Sequence, residues 1–161
     1  GGRPPLEKPL EPNSEWARAL LAMAEELAHA DFALGVVLGG TGAGKTRLLA
    51  EIRRVDGAAS PEGEFLCFDA DLAVASHPGF EALPGGAMEW LPLAGFNDVP
   101  AMMRPFRNLS EGQRARAVLA LTLRSGAVID DFGATVDELA ARSCAAAIGK
   151  AIRRQGMRRV L

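Results

Sequence analysis

Residues 39–46 read Gly39-Gly40-Thr41-Gly42-Ala43-Gly44-Lys45-Thr46, with Arg47 following. This matches G-x-x-x-x-G-K-[ST] at each fixed position. Phosphates need many hydrogen-bond donors at close range. A glycine loop turns successive backbone N–H groups inward and makes an anion nest. The helix that follows adds its positive N-terminal end. Lys45 is expected to reach the β- and γ-phosphates as a mobile point charge. The Thr46 hydroxyl is expected to ligate Mg²⁺, a hard cation that prefers oxygen. The nucleotide-binding set is therefore Gly39 to Arg47.

Such a loop requires an acidic partner for its magnesium, at the end of a neighbouring strand. Ala127-Val128-Ile129-Asp130-Asp131 supplies one. Asp130 is assigned to Mg²⁺, through a water, and Asp131 to the attacking water. A third segment, Leu109-Ser110-Glu111-Gly112-Gln113, places Ser110 as N-cap of a helix starting near Glu111. That makes a second helix end able to read an anion.

The order GGTGAGKT, LSEGQ, VIDD, then Ala134-Thr135-Val136-Asp137 resembles the ABC ATPase family. The likeness spans roughly residues 32–161. The run from Gly95 to Ser110 looks more like a non-transporter branch associated with acetyltransferase domains. The resemblance implies a P-loop NTPase fold, a mainly parallel sheet flanked by helices, with a reduced helical subdomain. It implies ATP and Mg²⁺ as cofactors and hydrolysis in a head-to-tail homodimer, with a fused or partner domain nearby. ATP would lie between one loop and Ser110, Gly112 and Gln113 of the other copy, and Asp137 would cross the interface. Lys45 and Asp131 would carry catalysis, and Thr46 and Asp130 the metal.

Several positions depart from that family. Glu111 replaces the signature's first glycine. Asp131 stands where a glutamate is usual, and a shortfall near ~1 Å costs ~10²-fold in rate. Neither glutamine, Gln113 or Gln155, lies between the loop and the signature. The family's switch histidine would follow a strand beginning near Arg158 and is expected beyond Leu161. An ATP-binding module with little turnover is thus one alternative. A small P-loop kinase, with Arg104 and Arg107 as lid, is another. Trp16 and Phe32 read as packing groups before base platforms.

The elements that must position these groups follow from periodicity. Residues 1–13 are rich in Pro and Gly and read as a linker or tail; residues 14–161 are read as the ATPase domain, incomplete at its C-terminus. Ser14 caps a helix reaching about Ala30, and Lys45–Arg54 forms the helix after the loop. Phe32–Leu38 reads as a buried parallel strand and Phe65–Phe68 as a second buried strand, Ala127–Ile129 reads as a short strand, and Arg158–Leu161 as the first residues of another. Residues 75–107 hold short helices at most. Glu111–Arg124 and Val136–Gln155 are helices. Strands alternating with helices point to an α/β layered fold.

Composition narrows the function classes. Apolar residues are 48% and charged residues 24%, enough for a core. A net charge of −2 gives no general pull toward nucleic acid or an anionic membrane. Cys67 and Cys144 lack CxxC spacing, and His29 and His77 stand alone, so no zinc site is expected. No apolar run reaches the ~18 residues of a membrane span. These features fit a cytoplasmic protein.

Overall fold

The computed structural model describes residues 8–57, 68–130, 132 and 138–161. Helix α1 spans Glu15–His29. The Ser14 hydroxyl accepts the Ala17 amide at 3.1 Å, satisfying one orphan donor of the first turn. Ala17, Leu20, Ala24 and Ala28 recur every three or four residues and are its buried positions. Helix α2 spans Lys45–Asp56 and runs between Gly44 (φ 91°) and Gly57 (φ 63°). Left-handed backbone suits glycine at both ends, because a Cβ there meets the carbonyl. Leu48, Leu49 and Ile52 close against Leu20, Ala24, Ala28 and Val128 in one core cluster.

The proline-rich middle gives only short elements. These are a 3₁₀ turn at Val74–Ser76, α3 at Pro78–Glu81, α4 at Gly86–Leu93, α5 at Val99–Met102 and a 3₁₀ turn at Phe106–Asn108. Helices α6 (Glu111–Thr122) and α7 (Glu138–Gln155) follow. Phe80, Leu91, Phe96, Met102, Leu121 and Ile152 belong to the second, larger core. Phe68 joins it, stacked on Phe106 with ring centres 4.4 Å apart.

The expected parallel sheet is not there. Among the described residues no strand forms; the pairings are one parallel bridge, Leu34 to Val160, and one antiparallel bridge, Ala73 to Pro105. Three of the expected strands survive only as short hydrogen-bonded contacts. The Val160 amide donates to Ala33 O at 3.1 Å and the Gly35 amide to Val160 O at 2.8 Å. On the other side, Leu161 donates to Ala127 O at 2.9 Å and Ile129 to Leu161 O at 2.7 Å. The fourth expected strand lies outside the described residues except for Phe68.

Two local causes stop this pairing from becoming a ladder. Arg159 sits at φ 55°, in the left-handed region, so the chain is not extended one residue before the bridge. Beyond Gly35, no backbone hydrogen bond joins Val36, Val37 or Leu38 to another described residue, and Val36 and Leu38 are 72% and 86% exposed. The α/β parallel-sheet expectation, and with it the P-loop NTPase fold of ABC type, is therefore corrected. The described residues form a helical protein.

Arg159 explains its own backbone. Its guanidinium donates to the Ala28 carbonyl at the end of α1 and to Asp56 Oδ1, 3.1 Å away, at the end of α2. Holding two helix ends offsets a left-handed conformation worth roughly 1–2 kcal/mol for a non-glycine residue. Arg159→Ala is expected to lose both contacts and keep the strain. Arg159→Gly loses the contacts but relaxes the strain, so it should be more stable than the alanine variant by about 1 kcal/mol. Denaturant unfolding of the pair checks this, and equal midpoints would count against a strained Arg159.

Candidate functional site

The loop Gly39–Thr46 leads straight into α2, as its residue types require. Gly42 (φ 79°) and Gly44 (φ 91°) hold its two left-handed positions. The Ala43 amide donates to Gly40 O at 3.2 Å, and Leu48 to Gly44 O at 2.8 Å. A Cβ on Gly40 or Gly42 would meet nothing within 4 Å, so this side of the loop opens on free space. Helix α2 has no side-chain cap. Among the described residues, no acceptor meets the amides of Lys45 and Thr46. Uncapped amides at the start of a 12-residue helix are the donors an anion uses.

Lys45 folds back over the loop. Its Nζ donates to Gly39 O at 2.7 Å and Gly40 O at 2.9 Å. The ammonium thus rests on carbonyl dipoles, which a phosphate would outbid as a fully charged acceptor. Thr46 is exposed. Lys45 and Asp130 share the wall of a cavity of about 390 Å³, with Val36, Leu38, Ile129 and Leu161 among its apolar lining. The structure so brings together the cation expected for phosphate and one carboxylate expected for magnesium.

Arg47 behaves differently from a phosphate ligand. Its guanidinium donates to the Lys8 carbonyl, and Nε lies 3.5 Å from Glu51 Oε1. Glu51 is only 3% exposed. It accepts Arg54 at 2.7 and 2.8 Å and the Leu10 amide at 3.0 Å. The sequence reading missed Glu51, although the spacing Arg47–Glu51–Arg54 at i, i+4 and i, i+3 carries the signal.

The signature-like residues lie elsewhere. Ser110 Oγ accepts the Gln113 amide at 3.2 Å, and Gln113 Oε1 accepts the Ser110 amide at 3.0 Å, a closed capping box on α6. Gln113 Nε2 also reaches Asp98 Oδ2 at 3.4 Å. None of Ser110, Gly112 and Gln113 lines the cavity beside Lys45. Arg107, offered as part of a lid, pairs instead with Asp71 on the surface. Asp131 and Asp137 lie outside the described residues.

The remaining candidates have structural roles. His77 is buried, and its Nδ1 accepts the Gly79 amide at 3.0 Å. Cys144 is buried with its thiol on Ala94 O at 3.2 Å. Burial pushes the thiol's pKa up, with Arg116 opposing, so it stays protonated and unreactive at neutral pH. Among the described residues no three His, Cys, Asp or Glu side chains gather as a metal group, and no helix is long and apolar enough to cross a membrane. Compared with protein-family models, curated proteins and solved structures, the chain matches none.

The loop geometry separates two glycines that the sequence treats alike. Gly42→Ala adds a methyl into open space and should cost only the backbone strain, about 1 kcal/mol. Gly44→Ala places its methyl 2.9 Å from Trp16 Cζ2 as well. It should cost about 1 kcal/mol more, since overpacking runs to ~1–3 kcal/mol. Thermal melts of the two variants distinguish these outcomes.

Proposed function

We propose that this chain binds ATP with Mg²⁺ through the triphosphate, at the loop Gly39–Thr46. The observation that carries the reading is Lys45 parked on two loop carbonyls beside amides that meet no acceptor among the described residues. An incoming phosphate would take both, the amides directly and the ammonium by exchange of carbonyl for phosphate oxygen. Thr46 would offer its hydroxyl to magnesium, and Asp130, on the same cavity wall as Lys45, would hold the ion through a water. The side chain of Arg47 is left out of this set, because Glu51 and Lys8 engage it.

Hydrolysis belongs to the same proposal. Within one chain the Ser110 helix end does not line the Lys45 cavity. A second copy would therefore have to bring its Ser110, Gly112 and Gln113 to the γ-phosphate. Turnover would then depend on a homodimer closed around ATP, with Asp131 polarising water and Asp137 meeting the partner. MgATP is abundant in the cytoplasm, and a cytoplasmic location is part of the same proposal.

Lys45→Ala is expected to weaken binding of both MgATP and magnesium tripolyphosphate by at least tenfold, on the order of one charge-assisted contact. Isothermal titration reads both ligands. Unchanged affinity would remove the loop from the site. In the native protein, ATP turnover per subunit should rise with protein concentration. A flat background rate with ATP bound would leave binding without hydrolysis.

A further inference from the structure

The two hydrophobic cores leave a gap where they approach each other. The cavity of about 390 Å³ beside Lys45 opens at this seam. Leu49 comes to it from the smaller core, and Ile148 and Val160 from the larger one. All three are buried and form its floor. Leu34, Val36, Leu38 and Phe132 also line it and are exposed. Apolar side chains left in water around a buried apolar floor gain free energy when a ligand covers them. The volume lies within the ~300–1,000 Å³ of small-molecule sites, which are mostly apolar with a few polar groups.

Few charges face this space. Among the described residues that line the cavity, only Lys45 and Asp130 ionise. Residues 39–44 and Thr46 take no part in its walls. The phosphate loop and the cavity thus share one side chain, Lys45. Its ammonium rests on two neutral carbonyls, Gly39 O at 2.7 Å and Gly40 O at 2.9 Å. An ionised acceptor makes a stronger bond to an ammonium than a carbonyl does. Asp130 on the same wall repels a second negative charge. These groups suit a ligand with one anionic head and an apolar body.

We propose that the cavity binds an aliphatic carboxylate of medium chain length. The carboxylate takes the Lys45 ammonium, and the hydrocarbon chain lies over Leu49, Ile148 and Val160. The proposal stands apart from the triphosphate reading, because the loop amides take no part in it and binding is read with no nucleotide present.

The test titrates octanoate and 1-octanol, below micellar concentrations and at neutral pH, into the native protein, Lys45→Met and Val36→Glu by isothermal calorimetry. Native protein should bind octanoate about tenfold more tightly than octanol, the scale of one charge-assisted contact. Decanoate should bind about tenfold more tightly than octanoate, as two further methylenes leave water. Lys45→Met keeps an apolar stem and loses the charge. It should bind octanoate and octanol alike, with octanol within about twofold of the native affinity, which also shows that the cavity is folded. Val36 is 72% exposed, so Val36→Glu leaves both cores intact. Its carboxylate at the cavity wall should weaken octanoate about tenfold and octanol less. The proposal is overturned if native protein binds no octanoate, if octanoate and octanol bind equally, if Lys45→Met keeps the preference for octanoate, or if Val36→Glu changes nothing. Native protein that binds no octanoate but self-associates until Val36→Glu prevents it would assign this face to a second copy of the chain, and would overturn the proposal as well.

Discussion

A buried carboxylate behind the glycine loop organises this end of the molecule. Glu51 sits on the inner side of α2 and is almost fully removed from water. An ionised carboxylate tolerates that only when charged and polar partners surround it. Arg54 and Arg47 supply charge, and the Leu10 amide supplies a donor from far along the chain. Satisfying one side chain on α2 thereby determines where residues 8–10 run. From there the chain enters α1 at Ser14, with Trp16 next to Gly44. The same network engages the side chain of Arg47, which contacts Glu51 and the Lys8 carbonyl. One electrostatic requirement therefore sets what flanks the loop.

A second constraint acts where a sheet was expected. Residues 158–161 lie between 32–35 and 126–129 and exchange backbone hydrogen bonds with both. The contact is short because Arg159 adopts left-handed backbone in order to reach Ala28 and Asp56. Its guanidinium joins the ends of α1 and α2, so helix packing prevails over strand extension at that residue. Past Gly35 the apolar run Val36–Leu38 continues without a paired neighbour among the described residues. Its exposed side chains line the cavity that also holds Lys45 and Asp130.

The two helix starts that resemble anion sites have different local chemistry. Helix α6 begins with a reciprocal capping box, so Ser110 and Gln113 already satisfy each other's backbone. Helix α2 begins at a left-handed glycine with no side-chain cap. Within the single chain, the box engages the Ser110 and Gln113 amides of α6, while the Lys45 and Thr46 amides of α2 meet no acceptor among the described residues. A motif scan weighs both as helix N-termini, because it reads residue types and not which acceptors are already used.

Several features were legible in the residues alone. Ser14 as cap of α1, the helix that follows the glycine loop and Ser110 as cap of α6 are short-range patterns, and those helices form where they predict. So do the prolines that keep residues 75–107 to short elements. The glycine loop and its lysine also belong to this local class, since φ preferences and a flanking helix shape them. The strands were not legible. An apolar run such as Phe32–Leu38 states only that it can pair, and pairing needs a partner whose backbone is extended at the right place. Whether Arg159 is extended depends on Ala28 and Asp56, each more than a hundred residues away in sequence. Trp16 beside Gly44, and Arg47 on the Lys8 carbonyl, are likewise long-range outcomes. Residue types and short-range patterns determined the helices, their caps and the loop; only tertiary packing decided that the loop end of α1 lies against Gly44, that Arg47 turns to Glu51 and Lys8, and that Arg159 reaches Ala28 and Asp56 instead of extending a strand.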